Sequence, residues 1–99
     1  MISTQVMLQK VKDALRVSAT ALEPELNDLI TSAQLDLGVA GVIVPDEFDA
    51  LVSTAIIAYC KANFGNPQDA DRWKRSYDEQ KSQLTTNSNY TEWTVNTNV

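Results

Sequence analysis

The sequence predicts an all-α domain: a small four-helix bundle followed by an extended C-terminal tail. Three observations lead there. Four segments repeat apolar residues at intervals of three and four, the spacing of one helix face. Proline and glycine punctuation separates those segments. Past Leu84 the composition changes to "TTNSNYTEWTVNTNV", where ten of fifteen residues are Thr, Asn or Ser and the helical period stops.

The first helix is expected over about residues 4–17, with Thr4 as cap and Met7, Leu8, Val11 and Leu15 along one face. The second spans about 23–37. Pro24 suits its first turn, Glu23, Glu25 and Asp28 match the positive end of its dipole, and Gly38 is the expected stop. Leu26, Leu29, Ile30, Ala33 and Leu37 form its inward stripe. The link "GVAGVIVP" could be a short extended piece, although one such piece makes no sheet.

The third helix is expected to start at Asp46. Its body, "FDALVSTAIIAYCKANF", is apolar almost all round, which suits the centre of a bundle or a covered interface. Gly65 ends it, Asn66 is the expected cap of the fourth helix and Pro67 fits that helix's first turn. Ala70, Trp73, Tyr77, Gln80 and Leu84 then form one stripe, while Asp69, Asp71, Asp78 and Glu79 offset Arg72, Lys74, Arg75 and Lys81. The core is expected from Leu15, Leu29, Ile30, Phe48, Leu51, Val52, Ala55, Ile56, Tyr59, Trp73 and Tyr77.

Two units are therefore expected: a helical domain over residues 1–84 and a Thr/Asn-rich tail over 85–99. In the tail, Tyr90, Trp93 and Val95 are candidate docking residues, because a plain linker has no use for aromatics and aromatics are common binding anchors. Removal of the tail is then expected to spare the helices and weaken partner binding.

Composition narrows the function. The chain carries 8 basic and 13 acidic residues, a formal net charge of -5, against the basic balance of a free-standing nucleic-acid binder. It has no histidine, the commonest general base and metal ligand. Its one cysteine, Cys60, excludes an intramolecular disulfide and lies in an apolar helix, where an inert thiol is expected. The N-terminus does not read as a signal peptide, and "ALVSTAIIAY" is too short to cross a bilayer, so no membrane partner is expected. The sequon at Asn89 matters only in a secreted eukaryotic protein.

No catalytic residues, cofactor or metal are expected. Phosphate-cradling glycine loops and zinc-spaced cysteines are absent, and Asp46, Glu47 and Asp49 are explained by a helix start. An alternative reading is a small helical DNA-binding regulator that uses Arg72, Lys74 and Arg75. Its weakness is the acids on the same helix and the inward stripe of Trp73 and Tyr77.

The order of parts carries a resemblance. "VKDALRV", "LNDLITSAQLDL" and an acidic-started apolar helix lead into "AIIAYCKANFGNPQDADRWKRSYDEQKSQL", of which Lys61 to Leu84 is the most specific part. Over roughly residues 1–90 the chain resembles the small head–tail connector, or adaptor, proteins of long-tailed bacteriophages, often labelled DNA packaging proteins. The resemblance implies a structural, mostly helical virion protein, made in the host cytoplasm and placed in the neck between capsid and tail. It implies a homo-oligomeric ring of about twelve copies, joined through two unlike faces. The implied partners are the portal protein and the next neck or tail component, with genomic DNA passing through the channel without sequence-specific binding. Ile57 and Lys61 on the third helix, and Arg72, Arg75, Asp78 and Glu79 on the fourth, are the candidate subunit-interface residues. The tail would dock on the portal, and the surplus of acid would let DNA slide.

Overall fold

Four helices follow one another: α1 (Thr4–Leu15), α2 (Glu23–Val39), α3 (Ala50–Asn63) and α4 (Ala70–Thr85), with 3-10 turns at Thr20–Leu22 and Ser88–Tyr90. The computed structural model describes residues 4–43, 50–65 and 68–91, and no strand occurs among them. The chain is all-α, as its periodicity requires. Phe48 and the acids Asp46, Glu47 and Asp49 lie outside the described residues, as do Asn66, Pro67, Trp93 and Val95.

Helices α1 and α2 end in the same device. At each, a residue in the left-handed region lets its own N–H and the next one bond back to carbonyls of the last turn. In α2 that residue is Gly41 (φ 100°), with Gly41 N–H to Gly38 at 3.0 Å and Val42 N–H to Leu37 at 2.9 Å. Gly38 therefore stays inside the helix rather than stopping it, and α2 runs two residues further than expected. In α1 the left-handed residue is Arg16 (φ 59°), with Arg16 N–H to Asp13 at 3.3 Å and Val17 N–H to Lys12 at 2.9 Å. Glycine takes this conformation freely, whereas a side chain makes it costly.

The connection from α3 to α4 turns at Gly65 (φ 63°). Helix α4 starts later than its sequence suggested. Asp69, not Asn66, occupies the cap position, and its carbonyl accepts the Trp73 N–H at 3.1 Å.

Helix α3 packs against each of the other three, most extensively against α4. Its nearly all-round apolar sequence follows from that central place. Met7 and Val11 of α1, Leu26, Ile30, Ala33 and Leu37 of α2, Val52, Ala55, Ile56, Ala58 and Cys60 of α3, and Tyr77 and Leu84 of α4 form the buried cluster. Leu15, Leu29, Tyr59 and Trp73 are half-buried against it. Leu51, expected in the core, is 55% exposed: it lies in the first turn of α3 and lines an open groove against late α4 instead of the buried cluster.

The largest departure concerns the tail. Tyr90, expected to reach for a partner, is 7% exposed and belongs to the core cluster with Val42. Its carbonyl accepts the Ile43 N–H at 2.6 Å. The link after α2 thus meets the segment after α4, and packing continues past Leu84 to Tyr90. A charged tie closes the other end, where Lys12, only 8% exposed, donates to Glu23 at 2.7 Å. This pair holds the end of α1 to the start of α2 around the tight turn between them.

Candidate assembly surface

Helices α3 and α4 form an antiparallel hairpin, and its surface is divided into grooves. Late α3 (Tyr59, Asn63) faces early α4 (Ala70, Lys74) around one groove of about 450 Å³. Early α3 (Leu51, Thr54) faces late α4 (Gln80, Leu84) around a second of about 230 Å³. A third, of about 290 Å³, lies where the ends of α1 and α3 meet the start of α4, and Arg16, Lys61, Phe64 and Trp73 line it.

The first groove has a polar centre. The Tyr77 hydroxyl donates to Asp36 at 2.5 Å, and Lys81 donates to the same carboxylate oxygen at 3.0 Å. Tyr59 meets Tyr77 edge to face with ring centroids 5.1 Å apart. Asp36 is thereby held below its ordinary value, first by the Tyr77 hydrogen bond and then by the one from Lys81. The Tyr77 hydroxyl is pushed up, first by burial and then by Asp36, and so remains a donor at neutral pH. A carboxylate with a lowered folded-state pKa adds stability that is full above its unfolded-state pKa and is lost as pH falls through the folded one. The stability difference between wild type and Asp36→Asn, read by urea unfolding, should therefore shrink as the medium is acidified below about pH 4. A constant difference would mean that the carboxylate charge contributes nothing.

The second groove is lined by uncharged residues, and apolar side chains are exposed near it. Leu35, Val39 and Leu51 are the large apolar residues exposed among those described. Val39 ends α2 and Leu51 is the second residue of α3. The link after Val39 is bonded through Ile43 to Tyr90, which follows α4, so these parts gather at one end.

The third groove is its opposite in chemistry. Lys61 lies 4.3 Å and Arg72 5.1 Å from the centroid of the Trp73 ring, within the range of cation–π attraction. Arg16 stands on the same groove, presented by its left-handed backbone.

Of the candidate interface residues, the fold thus brings Lys61 and Arg72 together. Asp78 borders the first groove, Arg75 and Glu79 are exposed on α4, and Ile57 is half-buried against the core. Sequence reasoning missed Arg16, Phe64 and Asp36. The distance in sequence from Asp36 to Tyr77 left no local pattern to find, and a single arginine after a helix carries none either.

Cys60 is fully buried, and desolvation pushes its thiol up to about 12, so it carries no thiolate at neutral pH. Among the described residues, no three of His, Cys, Asp or Glu gather to hold a metal ion, and no helix is long and apolar enough to cross a membrane.

Fold and surface together define a small helical domain with a partly apolar end and a cationic, aromatic one. Its family is shown by sequence: the chain belongs to the phage connector protein family, whose sequence model matches residues 7–91. The match takes in α1 from Met7 onward, all of α2, α3 and α4, and Tyr90, and membership makes the chain a component of the virion that contacts other head or tail parts. No curated protein and no solved structure matches it.

Proposed function

We propose that copies of this chain form a ring beneath the phage portal, which extends the DNA channel and joins the capsid to the neck and tail. The observation that carries this reading is the contrast between the two ends of the helical domain. A ring of identical subunits is closed by heterologous contacts, so each copy needs two unlike faces. Exposed Val39 and Leu51 at one end, and Arg16 with Lys61 and Arg72 about the Trp73 groove at the other, are unlike in kind. Membership of the connector family supports the same reading.

The acidic balance suits a conduit. A wall that attracts phosphate would hold the duplex, whereas repeated copies of a subunit of net charge -5 let it pass without sequence-specific binding. The chain acts as a structural part, with no reaction of its own. Size-exclusion chromatography of the purified protein with its cognate portal tests this. Co-elution as a complex larger than the portal is expected. Separate elution across a range of salt would contradict it.

A further inference from the structure

We propose that the cation–aromatic groove of Arg16, Lys61, Phe64 and Trp73, with Arg72 against the same Trp73 ring, receives carboxylates from a second copy of this chain. The inference rests on the ring reading above and names the surface that would close the ring.

The groove concentrates charge that its own subunit leaves unused. Among the described residues, none of the three cations is ion-paired; the two bridges found are Lys12–Glu23 and Lys81–Asp36. Asp69 borders the same groove without reaching any of the three cations, and offsets one of the positive charges. Lys61 and Arg72 both lie over the Trp73 ring, Lys61 as part of the groove lining and Arg72 beside it, which restrains two long side chains that would otherwise be loose in solvent.

Arg16 supplies an independent argument. It occupies the left-handed position of a helix-ending motif whose counterpart in α2 is Gly41. A side chain there strains the backbone, and glycine would remove the strain. The backbone conformation therefore gains nothing from a side chain at this position, and the charge adds at most a modest interaction with the C-terminal end of α1. Its side chain lines the groove, where it adds a third cation.

The complementary chemistry is on the same chain. Acids outnumber bases by 13 to 8, and Glu25, Asp28, Asp71, Asp78 and Glu79 are exposed. A neighbouring copy thus presents carboxylates in excess, and guanidinium–carboxylate contacts are among the stronger charge-assisted hydrogen bonds. A planar ring beside them adds apolar contact area.

The test compares full-length wild type with Arg16→Gly and with Lys61→Gln plus Arg72→Gln, by melting temperature and by self-association in analytical ultracentrifugation. Arg16→Gly is expected to melt higher than wild type and yet to associate about tenfold more weakly, the size of effect seen when one charged contact is lost from an interface. The double variant is expected to weaken association as well, and added salt should narrow the gap. Unchanged association in both variants would overturn the groove while leaving the ring reading intact. A lower melting temperature for Arg16→Gly would mean that the fold itself retains the arginine, and would overturn the argument from strain. If wild type stays monomeric at all concentrations and beside the portal, the ring reading falls and takes the groove's occupant with it. Short duplex DNA provides the last arm: binding that the variants lose, with self-association unaltered, would assign the groove to nucleic acid instead.

Discussion

Tyr77→Ala is expected to lower the free energy of unfolding by about 3–5 kcal/mol, the range for truncating a large buried aromatic. The ring is buried in the core cluster, packs edge to face on Tyr59 and spans from α4 to α2 by its hydroxyl bond to Asp36. Its loss opens a cavity between α3 and α4, the most extensive helix pair. It also strips Asp36 of its shorter hydrogen bond, leaving Lys81 alone. Tyr77→Phe separates the two effects. It keeps the ring and should cost only about 1–3 kcal/mol, the scale of a hydrogen bond to a charged group. Chemical denaturation measures both. Equal losses for Phe and Ala would assign the whole effect to the hydroxyl and contradict the packing account.

Shortening the chain after Leu84 is expected to cost about 3 kcal/mol or more, because it removes the buried ring of Tyr90. It also removes the carbonyl that accepts the Ile43 N–H, and so frees the link between α2 and α3. The sequence alone suggested the reverse, a tail that could be cut with the helices untouched. Tyr90→Ala in the full-length chain should reproduce most of the loss, with the denaturation midpoint moving and the slope unchanged. A truncated chain as stable as wild type would show that Tyr90 contributes no packing energy.

These two residues also mark what is legible in such a sequence. Tyr77 stands in a stripe with Ala70, Trp73 and Leu84, and a sustained period of three and four announces an inward face. Tyr90 stands alone among threonines and asparagines, where no period exists to reveal which way it turns. Composition read that segment as a tail, whereas its burial depends on a link 47 positions earlier in sequence. The same limit explains Leu51. A helix apolar on every side does not say which side lies outside, and the exposed position emerged only from the arrangement of its neighbours. The end of α2 was misplaced by two residues because two glycines compete to end it. A helix tolerates Gly38 at a modest cost, whereas the left-handed turn needs Gly41.

For the surface, the charges of α4 were legible but their grouping was not. Arg72 and Arg75 look equivalent in sequence, yet Arg72 lies over Trp73 and Arg75 has no such contact. Arg16 became conspicuous only through its backbone, since its cost is a matter of φ and not of residue type. The family resemblance, by contrast, rested on the order of helices and the run from Lys61 to Leu84, both of which the match over residues 7–91 spans.

The central claim is that this connector forms a ring between portal and tail. A density map of the neck of the intact virion tests it most directly. The account predicts a closed ring of four-helix domains below the portal, with the Trp73 groove of each copy against the acidic surface of the next. A neck without such a ring, or copies of this chain elsewhere in the particle, would contradict it.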